Sequence, residues 1–508
     1  MRRLQRILTS KILIFGLLII AQIGLIVYGI YWITQWIVPV YVLLTVLDVA
    51  VVLYVINSRI VPAYKINWLI MAAIFPLATG ILYLIIGSRR IPPKFRQEHL
   101  ASVLKFKPLL NNEDSMEAIG KEDEIIGKQL RYIVDYSYYP VYEGTRVSYY
   151  ENGEKMFNQI IEELKKATKF IYIEMFIMET GALLDQVLNI LEEKSRQGVD
   201  VRIIYDDMGC AMYLPHDFSK QLASRGIKCQ VFNPFRPILW VTMNNRDHRK
   251  IIVIDGNTGF TGGLNLGDEY INRTSPYGYW KDAGVMLKGP AVTSLTVMFL
   301  QFWQSKSDQG IELPVALEEL ESYDNEKGYV LPFSDSPTDS EDISKNTHLN
   351  MIWSARKKLY IMTPYFVVDY EMLTALKQAA KNGVDVGIIL PHVPDKWYML
   401  ESARAYYREL ISSGCKIYEY VPGFIHSKVM MADDKAAIVG TINMDYRSYY
   451  LNFECGVYLY KNKVIKDICR DFDNTIAESQ LIDLSECNKI PLYRRLIRAF
   501  FKLFAPFM

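Results

Sequence analysis

Two strings of the form His-x-Lys-x-x-x-x-Asp carry the chemistry: His248-Arg249-Lys250-Ile251-Ile252-Val253-Ile254-Asp255 and His426-Ser427-Lys428-Val429-Met430-Met431-Ala432-Asp433. In an extended chain the side chains at i and i+2 share a face, so His248 points with Lys250 and His426 with Lys428. An apolar run suited to a buried strand follows each lysine. Each copy then reaches a glycine turn and an asparagine, Gly262-Gly263-Leu264-Asn265 and Gly440-Thr441-Ile442-Asn443. Imidazole, ammonium and carboxamide groups sharing one pocket can grip a phosphate without a metal. The lysines neutralise its charge, and the Asn265 and Asn443 amides and the glycine-loop N–H groups donate to its oxygens. Two imidazoles facing one phosphorus divide the work. One attacks as the neutral ring and forms a phosphohistidine; the other, protonated, donates to the departing alkoxide and later accepts a proton from the incoming alcohol. A carboxylate behind each ring fixes its tautomer. The spacing is symmetric and leaves open which ring attacks. The other histidines, His99, His216, His348 and His392, read as surface or core residues.

Such groups need two similar scaffolds, and the chain repeats itself. Gly198-Val199-Asp200-Val201-Arg202-Ile203-Ile204 answers Gly383-Val384-Asp385-Val386-Gly387-Ile388-Ile389, and Lys169-Phe170-Ile171-Tyr172-Ile173 answers Lys357-Lys358-Leu359-Tyr360-Ile361. Each copy predicts a helix (156–166; 350–357), a strand (170–176; 358–363), a second helix (183–197; 372–381) and a second strand (199–205; 384–390). Alternating strands and helices argue for α/β layers. The polar, turn-rich stretch 334–344 reads as the linker between the copies. The fold expected is α/β, with two related domains packed about a pseudo-two-fold axis.

The chain has 508 residues, 50% of them hydrophobic, and a net charge of +1. That allows two or three domains, excludes disorder and gives no global pull toward nucleic acid. Its six cysteines form no CxxC pair and have no histidine at metal spacing, which reads as reduced thiols in a reducing compartment, with no metal and no cofactor. Three apolar runs, 12–33, 37–56 and 68–87, open the chain. The first two are long enough to span a membrane, and the third carries Pro76 and Gly80, which spanning helices tolerate. Trp32, Trp36 and Trp68 stand at run ends, where indole rings favour the headgroup layer. Arg2, Arg3, Arg6 and Lys11 precede the first run, and Arg89, Arg90, Lys94 and Arg96 follow the third. The positive-inside rule wants both clusters in the cytoplasm, so two runs are expected to form a spanning hairpin with the large domain cytoplasmic. The stretch 491–508 mixes Arg494, Arg495, Arg498 and Lys502 with Leu, Ile and Phe. It suits either a helix lying on anionic lipid or one docked on the core. The boundaries expected are 1–90 for a transmembrane anchor region, 91–145 for a membrane-proximal linker, 146–325 and 326–486 for the two domains, and 487–508 for an amphipathic C-terminal segment.

The same strings resemble the signature of the phospholipase D superfamily, and those of its bacterial cardiolipin synthases over essentially the whole chain. The resemblance rests on Asp247-His248-Arg249-Lys250, Thr261-Gly262-Gly263-Leu264-Asn265 and Gly267-Asp268-Glu269-Tyr270 in the first half. In the second it rests on Thr363-Pro364-Tyr365-Phe366, Tyr418-Glu419-Tyr420, Pro422-Gly423-Phe424-Ile425-His426, Gly440-Thr441-Ile442-Asn443-Met444-Asp445-Tyr446-Arg447-Ser448 and Asn452-Phe453-Glu454. Val368 stands where the family pattern has a proline, and the third apolar run exceeds the family's two-span plan. The resemblance implies two phospholipase D-type α/β-sandwich domains and a phosphatidyltransferase that turns two phosphatidylglycerol molecules into cardiolipin and glycerol. It implies His248 as nucleophile, His426 as acid/base, and Lys250, Lys428, Asn265 and Asn443 as phosphate ligands. Glu454 is implied to orient the second-half histidine and Asp282 the first-half one, with Asp255 and Asp433 completing the motifs near the domain interface. The implied partners are membrane phospholipids, not nucleic acid, and the implied location is a bacterial cell membrane, multi-pass. A hydrolytic phospholipase D or a phosphatidylserine-forming transferase on this fold is the alternative. A nuclease is disfavoured, because the chain lacks a basic, aromatic-interleaved stripe.

Overall fold

The computed structural model describes residues 11–31, 37–58, 60–87, 91, 93–110, 114–234, 244–305, 321–323 and 325–507. They fall into a helical unit within 1–92, 235–244 and 506–508, and an α/β unit within 93–234 and 245–505.

In the helical unit, α1 (Lys11–Tyr31) and α2 (Ile37–Asn57) are apolar nearly throughout. From Val38 to Asn57, α2 is the one helix among the described residues long and apolar enough to cross a membrane. Its Val40, Leu43, Val46 and Leu53 are exposed. The third apolar run is not one helix: α3 (Pro62–Ile74) stops at Phe75 and α4 (Pro76–Leu82) restarts behind it. Pro76 has no N–H to continue the ladder and is preorganised for a first helical turn. A single π-helical turn, Tyr83–Gly87, follows. Trp68 is buried, edge-on to Tyr83 at 5.0 Å and to Phe507 at 6.0 Å. Arg2, Arg3, Arg6, Trp32, Trp36, Arg89 and Arg90, on which the expected orientation draws, lie outside the described residues.

The α/β unit begins with α5 (Pro93–Phe106) and holds two sheets. The first contains β1 (Arg146–Tyr150), β2 (Phe170–Met175), β3 (Asp200–Asp206), β4 (Lys228–Phe232), β5 (Ile251–Ile254), β6 (Thr258–Gly262) and β8 (Gly284–Lys288), while β7 (Tyr279–Lys281) stands outside it. Their order is β1-β8-β6-β5-β2-β3-β4. The second contains β9 (Tyr329–Asp335), β10 (Lys358–Met362), β12 (Asp385–Pro391), β13 (Lys416–Tyr420), β15 (Val429–Ala432), β16 (Ala436–Gly440), β18 (Glu454–Tyr460) and β19 (Ser479–Leu481). Their order is β19-β13-β12-β10-β15-β16-β18-β9. Short pairs join β11 (Phe366–Val367) to β17 (Met444–Asp445) and β14 (Gly423–Ile425) to β7.

The repeat is visible in the elements. α6 (Gly153–Lys166), β2, α7 (Ala182–Arg196) and β3 match α9 (Ile343–Ser354), β10, α10 (Tyr370–Lys381) and β12. Both Gly-Val-Asp-Val strings mark the same turn, with Gly198 at φ +90 and Gly383 at φ +91 just past a helix end. Such left-handed backbone favours glycine. Helix α8 (Val292–Ser305) is buried on every side from Val292 to Trp303, with Thr293, Ser294, Thr296 and Gln301 among its buried residues. The second sheet is covered by α11 (Trp397–Ile411) and α12 (Ile465–Ala477), and α13 (Leu492–Phe504) closes the unit.

The stretch 334–344 is not the linker expected. Ser334 and Asp335 finish β9, which pairs antiparallel with β18 from Tyr329↔Tyr460 to Asp335↔Glu454, and Ile343 opens α9. Burial of Val330, Leu331 and Phe333 outweighs the turn-rich composition that follows. The first helix of the second copy also starts earlier than 350, at Ile343.

Candidate active site

Each histidine–lysine pair sits just ahead of a buried strand, β5 or β15, that pairs antiparallel with the first strand of its repeat, β2 or β10. The motif aspartates end these strands in left-handed conformation, φ +52 at Asp255 and φ +54 at Asp433. The Asp255 carboxylate accepts the N–H groups of Thr168, Lys169 and Phe170 at 2.8, 2.7 and 2.9 Å. The Asp433 carboxylate accepts those of Arg356, Lys357 and Lys358 at 2.8, 2.7 and 3.0 Å. These bonds stay within each half and do not reach the domain interface that was expected. Each aspartate satisfies backbone donors at the start of its own half's first strand.

The segment before each histidine runs beside the opposite half. β14 pairs in parallel with β7, and the His426 N–H donates to the Lys281 carbonyl at 2.6 Å. Asp247 bridges to Phe453, and the His248 N–H donates to the Phe453 carbonyl at 3.0 Å. The residue after each of these carbonyls is a carboxylate. Asp282 Oδ2 lies 2.6 Å from His426 Nδ1, and both Glu454 oxygens lie 2.9 Å from His248 Nδ1. The expected pairing is thus reversed: Glu454 holds the first-half ring and Asp282 the second-half ring. The residue before each carboxylate, Lys281 or Phe453, pairs with the other half, and this brings Asp282 and Glu454 across.

Around these pairs the two halves offer different supports. The Trp280 indole N–H donates to Asp282 Oδ2 at 3.4 Å, and the Asn452 amide donates to Glu454 Oε1 at 3.4 Å. Thr441 also donates its hydroxyl to Glu454. Gly263 takes the equivalent place in the first half, where a Cβ would fall 2.0 Å from Asp282 Oδ1. These supporting residues were not assigned from sequence. Aligning Trp280-Lys281-Asp282-Ala283-Gly284 with Asn452-Phe453-Glu454-Cys455-Gly456 is the signal that reveals them. Beneath the first motif, Arg249 pairs with Glu174 at 2.7 Å and Asp247 at 3.2 Å, its guanidinium 3.8 Å from the Phe302 ring centre.

Lys250 and Lys428 each donate to the carbonyl of their own motif histidine. Burial, reinforced by Lys250 and Lys428, holds the His248 imidazole well below its usual value. Burial and Lys428 bring His426 to about 4, against the opposing pull of Asp282. Burial lowers Lys250 to about 8 and Lys428 to about 7, and raises Glu454 to about 7. Both rings feel both ammonium groups, so the four groups share one electrostatic field. Asn265 donates to the Tyr270 hydroxyl at 2.8 Å and accepts the Ile177 N–H at 3.1 Å. Tyr270 in turn lies edge-on to the His426 ring at 5.9 Å. The Asn443 carboxamide oxygen is buried with no hydrogen-bond partner among the described residues. His99 and His348 are buried core residues; His99 meets Thr338 at 3.1 Å and His348 meets Tyr449 at 2.9 Å.

The family model for the cardiolipin synthase, PLD-like domain matches residues 160–303 and 348–476. A cardiolipin synthase of Geobacillus sp. is 36% identical over 475 residues, covering 91% of this chain and 92% of its own. Cardiolipin synthase 2 of Bacillus anthracis is 35% identical over 449 residues, covering 88% and 87%. An uncharacterized protein of Streptococcus mutans is 41% identical over 463 residues, covering 90% and 99%. Among solved structures, phosphatidylserine synthase of Haemophilus influenzae shares the fold, with a TM-score of 0.55 over 71% of this chain and 95% of that one at 16% identity. The chain belongs to the cardiolipin synthase family with phospholipase D-like domains.

Proposed function

We propose that this protein is a membrane-anchored cardiolipin synthase that transfers a phosphatidyl group between two phosphatidylglycerol molecules through a phosphohistidine. The observation that carries the reading is the reciprocal clamp: each motif histidine is held at Nδ1 by a carboxylate from the other half. With Nδ1–H donated to a carboxylate, Nε2 of each ring is left for the substrate. The two domains are related by a pseudo-two-fold axis that brings both rings to one phosphorus.

His248, held well below its usual value by burial and the two lysines, attacks as the neutral imidazole. Its Nε2 lone pair forms the P–N bond while the P–O bond to glycerol breaks, and the departing alkoxide takes the Nε2 proton of His426. Asp282 stabilises the imidazolium form of His426, and the diester's negative charge offsets the lysine field, raising that ring's affinity for its proton. A hydroxyl of the second phosphatidylglycerol then loses its proton to His426 and attacks phosphorus as the P–N bond breaks, giving cardiolipin. Lys250, Lys428 and the Asn265 and Asn443 side chains hold the phosphate, and the unpartnered Asn443 oxygen offers an acceptor to a glycerol hydroxyl. One diester is exchanged for another, so no nucleotide or cofactor is required. α1 and α2 form a spanning hairpin, with the α/β unit on the cytoplasmic side.

Incubating the purified full chain with phosphatidylglycerol and identifying products by mass tests the reading. Cardiolipin with glycerol is the expected result. Phosphatidic acid alone would make the protein a hydrolase, and absence of turnover by folded protein would sink the assignment.

A further inference from the structure

Helix α13 rests on the unit through half-buried Ile497, Arg498 and Phe501 and leaves a second apolar side outward. At 100° per residue, Arg494, Arg495, Arg498 and Lys502 gather on one side of the helix, and Leu492, Tyr493, Leu496 and Phe500 on the other. A helix completing a soluble core leaves a polar side outward, not a second apolar one. Here Arg498 Nε bonds Glu401 of α11 at 2.7 Å, and Lys502 Nζ lies 3.8 Å from Glu409 and 4.7 Å from the Tyr406 ring centre. Leu492 is 72%, Leu496 64% and Phe500 57% exposed. The stripe continues onto α11 through Phe501, 5.3 Å from the exposed Trp397 ring.

An apolar stripe bordered by cations fits the boundary between anionic headgroups and acyl chains. Arg494 and Arg495 are exposed beside it, and no acidic residue follows Glu486. Along the chain, α13 leads to Phe507, which packs on Tyr64 and Trp68 in the unit that carries the apolar span. On the catalytic side, Lys396 beside Trp397 lies over the Tyr365 ring, which meets Phe424 at 6.4 Å; Phe424 is 5.8 Å from His426.

We propose that Leu492, Tyr493, Leu496 and Phe500 of α13, together with Trp397, insert into the headgroup–acyl boundary of an anionic bilayer and seat the His426 side of the site on the surface that holds its lipid substrate. This deepens the transferase reading and rests on it for the identity of that substrate.

A nitroxide on Phe500→Cys tests the contact directly, in the full chain with Cys229, Cys469 and Cys487 replaced by serine and reconstituted in phosphatidylglycerol–phosphatidylcholine vesicles. Collisions with lipid-dissolved oxygen are expected to exceed those with an aqueous nickel chelate. Dominant nickel collisions would mean that water covers the stripe, and shielding from both would mean a protein partner or second copy; either overturns the proposal. The label needs no turnover, so it stands apart from the assignment of product. In parallel, Leu496→Glu with Phe500→Glu is expected to lower turnover on vesicles at least ~10-fold while leaving turnover of monomeric short-chain phosphatidylglycerol within ~2-fold. Equal losses on both substrates, or no loss on vesicles, would refute it.

Discussion

In the first half of the α/β unit the carboxylate that reaches across is Asp282, set against Gly263 and receiving the Trp280 indole; in the second it is Glu454, receiving Thr441 and Asn452. The backbone geometry is shared, and the side chains break the symmetry. Asp282 meets His426 with one close oxygen at 2.6 Å, whereas Glu454 faces His248 with both oxygens at 2.9 Å while also accepting two other side chains. Hydrogen bonds to Glu454 draw on the charge that would stabilise an imidazolium. Burial is the first cause that holds both rings down, His426 to about 4 and His248 well below its usual value, and Asp282 pulls His426 back up. In the proposed reaction the duplicated motif gives His426 the proton carrier's role and His248 the nucleophile's.

That asymmetry can be broken one side at a time. Asp282→Asn removes the partner that supports a protonated ring and is expected to lower kcat about 10³-fold, against about 10-fold for Glu454→Gln. Equal losses in steady-state turnover would contradict the division of roles.

The pair of lysines gives the next effect. Burial brings Lys250 to about 8 and Lys428 to about 7 in the free protein, so their charge is lost as pH rises through that range. The sign is a fall in kcat/KM on the alkaline side, about 10-fold per unit once one required ammonium titrates. Arginine stays charged throughout, so Lys428→Arg is expected to move the alkaline limb upward. An unmoved limb in the pH profile of kcat/KM would assign it to another group.

The smallest effect on catalysis is expected where the halves are most alike. Asp255→Ala and Asp433→Ala each strip an acceptor from three backbone N–H groups and are expected to cost about 2–4 kcal/mol of stability apiece. Turnover per folded molecule stays within about 2-fold. Denaturant unfolding alongside active-site-normalised rates checks both; a large rate loss with intact stability would return these aspartates to the reaction.

Much of this was legible in the sequence because it is local. The alternation of helix and strand, the glycines at 198 and 383, and the two His-x-Lys strings follow from spacing alone. The crossed carboxylates do not, because they depend on β7 lying beside β14 and on Asp247 lying beside Phe453, pairings between residues far apart in the chain. Asp255 and Asp433 misled for a related reason: a fixed place in a motif says nothing about which way a left-handed turn aims the carboxylate. The apolar run 68–87 looked continuous by composition, and one missing N–H at Pro76 divides it. The amphipathic composition of 491–508 was plain, but it takes the half-burial of Ile497, Arg498 and Phe501 and the Arg498–Glu401 pair to show which side of α13 faces the protein.

Two rings from opposite halves are proposed to serve one phosphorus in unlike roles. Mapping the covalent adduct in His426→Ala, quenched in alkali after incubation with phosphatidylglycerol, tests that most directly. A phosphatidyl group on His248 by mass, absent from His248→Ala, is the predicted result. An adduct that accumulates on His426 in His248→Ala instead would contradict the account.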